Sequence, residues 1–180
     1  MTRKLLQIIF IWIALFSTAS AETHPFDVTI TYPLAANDPR NLHGYRIAAG
    51  YLPEALTWDK VQVYFDLSYG YWYVSGVNNY RSLSIYSIAP IVRYYFAKTS
   101  YLSPFAEASL GVSYLSRTHI GSRNLGMHFS FQDQIGLGFA FGAEQRLAIS
   151  IGALHYSNGT LSSHNSGITL PFILNVSYRF

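Results

Sequence analysis

Two stretches of this sequence alternate large apolar side chains with small or polar ones at a period of two. In residues 61–73, Val61, Val63, Phe65, Leu67, Tyr69, Tyr71 and Tyr73 share one parity, and Gln62, Tyr64, Asp66, Ser68, Gly70 and Trp72 share the other. In residues 129–142, Phe129, Phe131, Ile135, Leu137, Phe139 and Phe141 alternate with Ser130, Gln132, Gln134, Gly136, Gly138, Ala140 and Gly142. A period of two is the mark of a strand with two unlike faces. A soluble sandwich would turn its large residues into a shared core. Bulk on one face and small polar residues on the other suit a closed barrel, with a lipid-facing outside and a polar, tightly filled lumen. Asp133 interrupts the apolar row of the second stretch, which a bulge or a place near lipid headgroups explains.

Composition narrows the choice further. Half of the residues are apolar and only 12% are charged, yet no stretch after residue 21 is long and apolar enough for a membrane helix. Residues 1–21 read as a secretory signal peptide. Arg3 and Lys4 supply the positive start, Leu5 to Phe16 the apolar stretch, and Ala19-Ser20-Ala21 the small residues of a cleavage site. The mature chain is then expected to start at Glu22 and to form one domain over 22–180. With no cysteine, disulfides and thiolate zinc sites are excluded. The six histidines show no ligand spacing, so neither a metal nor a cofactor is expected. A net charge of +3 with no dense basic cluster argues against nucleic acid as a partner.

The alternation and its breaks give strands near 26–32, 43–52, 61–76, 80–97, 101–116, 125–142, 146–157 and 168–180. That is an all-β fold, an eight-stranded antiparallel transmembrane barrel of the bacterial outer membrane. An even count puts both chain ends on the periplasmic side. Links near 98–100 and 143–145 are then short periplasmic turns, and segments near 33–42, 77–80, 117–124 and 158–167 face outside. Eight strands leave room only for side chains, which disfavours a pore. The last strand is expected to point Leu170, Phe172, Leu174, Val176, Tyr178 and Phe180 outward, and the terminal Phe180 resembles the ending by which outer-membrane barrels are recognised for assembly. Asp66, Arg93 and Glu107 fall on lumen parities, where charges pair. Pro90 and Pro171 mark bulges or lost ladder bonds.

One short segment carries chemistry. Ile149, Ile151 and Ala153 look outward, and the same parity carries His155 and Ser157 outward, with Cα atoms roughly 6.5–7 Å apart. The pair sits at the outer end of its strand, beside the loop that begins at Asn158. A serine hydroxyl attacks only when a base takes its proton, and imidazole suits that near neutral pH. Asn158 and amides of the adjacent turn are candidate donors to the resulting oxyanion. Taken alone, His-x-Ser also fits an interfacial polar pair at a strand end.

From about Gly44 to Phe180 the chain resembles the lipid A 3-O-deacylase (PagL) family of eight-stranded outer-membrane barrels. The matching stretches are Pro104-Phe105-Ala106-Glu107-Ala108 with Gly111-Val112, Arg123-Asn124-Leu125-Gly126, and Phe131-Gln132-Asp133-Gln134-Ile135-Gly136-Leu137-Gly138. Most specific are His155-Tyr156-Ser157-Asn158 and Asn165-Ser166-Gly167-Ile168. The resemblance implies a serine esterase that hydrolyses the 3-position ester-linked acyl chain of lipid A in the outer leaflet. It implies Ser157 as nucleophile, His155 as general base, and Asn158 with Gly159 at the oxyanion. Lipid A (lipopolysaccharide) is the implied substrate and outer-membrane lipids the surroundings; a homodimer stays open.

Two departures stand out. The family's acid position is Thr169 here, and no acidic residue follows Glu144, so an acid comes from an earlier strand or is absent. Losing the acid of a serine-protease triad costs about 10⁴ in rate, and a hydroxyl accepts a hydrogen bond without balancing an imidazolium. The family also carries a glycine two residues after its oxyanion asparagine, whereas Gly159 and Thr160 stand here in shifted order. The alternatives are a catalytically weak or inactive barrel with a structural or adhesive role, or an acyltransferase that adds mass to lipid A. Loop residue His164 is a further candidate, and Arg40, Arg117 and Arg123 are candidates for contact with lipid A phosphates.

Overall fold

The computed structural model describes residues 25–180; the signal peptide read in residues 1–21 lies outside them. Ten strands follow in order: β1 (Phe26–Ala35), β2 (Leu42–Tyr51), β3 (Val61–Val74), β4 (Ser82–Tyr95), β5 (Leu102–Leu115), β6 (His119–Ile120), β7 (Arg123–Asn124), β8 (Phe129–Phe141), β9 (Leu147–Ser157) and β10 (Ile168–Arg179). All but β6 and β7 form one closed barrel, each strand antiparallel to its neighbours and β1 sealed against β10 from Asp27↔Arg179 onward. Closure pairs every barrel strand on both sides and leaves the barrel no open edge. The eight expected strands are all present. The stretch expected as one strand over 125–142 is instead preceded by a small hairpin, β6–β7, within the link between β5 and β8.

Parity falls as the alternation predicts. Large residues of one face stand in the open, with Leu67 67% and Ile135 64% exposed, while their neighbours Asp66, Ser68 and Gln134 are buried. A belt of exposed Leu, Ile, Val, Phe and Tyr around the whole wall suits lipid, since soluble monomers rarely expose apolar patches of that size.

The lumen differs from the uniformly polar one expected, because it has two halves. Toward the short turns, Arg93 pairs with Glu107 at 2.8 Å, and the Tyr64 hydroxyl and Ser150 hydroxyl donate to the same carboxylate. Arg46 pairs with Asp66 at 3.0 Å. Toward the long loops the filling is apolar: Trp72, Leu83, Ile85, Leu115, Leu154, Ile168 and Leu170 form one core, closed by Ile120 of the hairpin and by Leu125. The loops that fold over this mouth remove it from water, so apolar residues fill it.

The two prolines act differently. Beside Pro90 the β4–β5 ladder skips two pairs and resumes in the same register, so bonds are lost without a bulge. Beside Pro171 the β9–β10 register shifts by one residue, from Leu170↔Leu154 to Ile173↔Gly152, which is a bulge. The extra residue reverses parity at the loop end of β10. Leu170, expected outward, is 0% exposed and part of the core, and Thr169 turns outward instead.

Candidate active site

The bulge decides the geometry of the site. With Thr169 turned outward, it lies directly opposite His155 on β9, and the two side chains meet: His155 Nδ1 and Thr169 Oγ1 are 2.9 Å apart. If Nδ1 carries the proton, it donates to the hydroxyl and leaves the Nε2 lone pair free. Ser157 follows on the same outward parity, and both His155 and Ser157 are half-buried. No hydrogen bond joins His155 to Ser157 in this structure. Such contacts often tighten only when substrate binds.

The loop from 158 to 167 wraps this pair. Asn158 is buried, and its side-chain amide donates to the carbonyls of Leu125 (3.0 Å) and His164 (2.6 Å), while its backbone N–H donates to Asn165 Oδ1 (3.0 Å). Asn158 therefore braces the loop, with its N–H groups already bound to protein acceptors. Gly159 stands exposed against the Phe131 ring. Gly167 takes φ +61°, and a Cβ there would lie 3.2 Å from His155 Cε1, so a side chain would crowd the imidazole. Phe129, Ser157, Asn158, Asn165 and Gly167 line one small recess together with residues of the core beneath.

The β6–β7 hairpin fixes this loop from the other side. Arg123 Nη2 donates to the Ser166 carbonyl at 2.6 Å and pairs with Asp38 at 3.3 Å, and the Ser166 N–H donates to the Asn124 carbonyl. Arg123 is thus held within the protein, unlike the exposed Arg40 and Arg117. His164 is also exposed, its Nδ1 3.2 Å from the Ser163 hydroxyl. Asn165 carries no signal in the sequence beyond its match to a family pattern, and Asp133 is expected there at a bulge or near headgroups. No bulge exists there: β8 runs in unbroken register with both neighbours, and Asp133 lies directly opposite His155.

Comparison with known proteins places the chain in a family. Residues 43–179 match the family model described as Lipid A 3-O-deacylase (PagL). Over 105 residues the chain is 39% identical to the lipid A deacylase PagL of Pseudomonas aeruginosa, covering 58% of each sequence. Over 123 residues it is 26% identical to the lipid A deacylase PagL of Bordetella bronchiseptica, covering 68% of this chain and 65% of that one. The chain thus spans less than two thirds of the length of these curated relatives. Among solved structures, the outer membrane enzyme PagL matches with a TM-score of 0.66 at 29% identity, over 86% of this chain and 99% of that one. Neisserial surface protein A, at 0.55 and 17% identity, covers 89% of this chain and 100% of its own and shares the fold.

Proposed function

Because the chain belongs to the lipid A 3-O-deacylase (PagL) family, we propose that it is an outer-membrane serine esterase that hydrolyses the acyl ester at position 3 of lipid A. The observation that carries this reading is the outward bond between His155 and Thr169, two residues from Ser157 on the same face at the loop end of the wall. A site on that wall meets acyl chains side on, with the saccharide headgroup at loop level. In this reading residues 1–21 direct export, the short turns lie in the periplasm, and the long loops and the site lie at the outer leaflet.

Each side chain then has one task. His155 Nε2 takes the Ser157 proton as Oγ bonds to the ester carbonyl carbon. The carbonyl oxygen becomes an oxyanion, which the Gly159 N–H and the Asn165 side-chain amide stabilise while Asn158 holds both in place. The ester C–O bond breaks, and imidazolium returns its proton to the departing sugar oxygen. Water then attacks the acyl-Ser157, His155 accepts the water proton and passes it to Ser157 Oγ, and the free hydroxy acid leaves.

Mass spectrometry of lipid A from cells expressing the chain tests this, beside a Ser157→Ala control. Loss of one hydroxyacyl group with wild type only is the expected result. Unchanged lipid A in both, with the barrel folded in the outer membrane, overturns the reading and favours the weak or inactive barrel.

A further inference from the structure

A threonine at the acid position leaves the imidazole without the negative charge that balances it once it is protonated. Strand register brings two carboxylates to the wall on either side of it. Around the barrel, the residues directly opposite one another run Asp38, Thr169, His155, Asp133 and Leu110. Directly paired residues share a face, with Cβ atoms about 4.5–5.5 Å apart. Asp38 is thus one strand beyond Thr169, and Asp133 borders His155 itself.

The two acids are not equivalent. Asp38 binds Thr169 through its backbone, and its carboxylate already pairs with Arg123 at 3.3 Å. Asp133 is half-buried, its carboxylate makes no ion pair and no side-chain hydrogen bond among the described residues, and it is the adjacent one. An acid on an outward, otherwise apolar row also lacks any structural partner that would explain it there. A charge beside an imidazole favours its protonated form without touching it, most of all where water is scarce.

We propose that Asp133 supplies the charge that the threonine cannot: Thr169 orients the His155 ring through Nδ1, and Asp133 stabilises the imidazolium from the opposite strand. Orientation and charge, joined in one side chain in a Ser-His-acid triad, are here divided between two. Asp133 is a positioning residue that acts through His155, and this proposal rests on the deacylase reading above.

The test compares rates of hydroxy-acid release from lipid A micelles by the purified, folded barrel. Asp133→Asn is expected to lower kcat about 10- to 100-fold with KM nearly unchanged, the size of one unshielded neighbouring charge. Asp133→Glu keeps most of the rate. Asp133→Asn combined with Thr169→Glu recovers it, because the carboxylate then faces the same imidazole from the other side. Full activity in Asp133→Asn, with Ser157→Ala dead, overturns the proposal and leaves the deacylase intact. A loss that Thr169→Glu fails to rescue also overturns it, since Asp133 is then structural. A wild type that is silent until Thr169→Glu is introduced shows that Asp133 does not supply the charge. Silence in every variant removes the deacylase reading itself.

Discussion

Thr160 holds φ +66°, in the left-handed region that a β-branched residue rarely enters. It follows Gly159, whose N–H the proposed mechanism places at the oxyanion. Backbone strain of this kind costs of order 1–3 kcal/mol, and part of the gain on substitution is returned through the freer unfolded chain. Thr160→Gly is therefore expected to stabilise the folded barrel by about 1 kcal/mol, read as a higher urea midpoint in lipid vesicles; a lower midpoint would mean that the threonine side chain contributes more than its strain costs. The order of Gly159 and Thr160 was visible in the sequence, but the torsion was not. Asp133 is the opposite case. Once the turn is centred on Glu144, residues equidistant from it face each other, and Asp133 and His155 both lie 11 residues away. The pairing is therefore legible from the expected turn at 143–145; a bulge at Asp133, one of the two expectations for that position, would have shifted it by one residue.

At the level of elements, most strands follow directly from alternation, because a period of two with unlike faces has one solution in lipid. The exception is the loop end of β10. Pro171 signals a break in the ladder but not whether a residue is added, and one added residue moves every side chain beyond it to the other face. Without the bulge, Thr169 would point into the core and Leu170 into lipid, and the site would not exist. The β6–β7 hairpin is illegible in the sequence for a different reason: strands of two residues are too short to show any period. Its contribution is specific. Arg123 joins the 158–167 loop to the segment containing Asp38 through a charge-assisted bond to the Ser166 carbonyl. The ion pair is partly exposed and worth little to stability, below about 1 kcal/mol. Arg123→Ala should consequently leave the urea midpoint nearly unchanged while lowering kcat/KM about tenfold, as 1 Å of looseness in a positioned donor is enough for that. A large fall in the midpoint with activity per folded molecule intact would assign Arg123 to folding alone.

Across the whole molecule, the division of the lumen separates what holds the barrel together from what the wall does. The Arg93–Glu107 pair, with Tyr64 and Ser150 on the same carboxylate and the Arg93 guanidinium 4.1 Å from the Phe105 ring centre, lies toward the short turns. The site stands at the other end, over the apolar core of Trp72, Leu154, Ile168 and Leu170. A buried pair loses about 3–5 kcal/mol when one partner is removed, because the other charge is left uncompensated, whereas apolar replacement of both is nearly neutral. Glu107→Gln should therefore cost about 3 kcal/mol in urea unfolding, and Arg93→Met combined with Glu107→Leu should recover most of it. Deacylase activity per folded molecule should stay at the wild-type level in both, since among the described residues no side-chain hydrogen bond or ion pair joins this network to the 158–167 loop or the His155 row. If activity falls while the folded fraction holds, the polar half transmits its geometry through the core to the wall, and the two ends of the barrel form one mechanical unit.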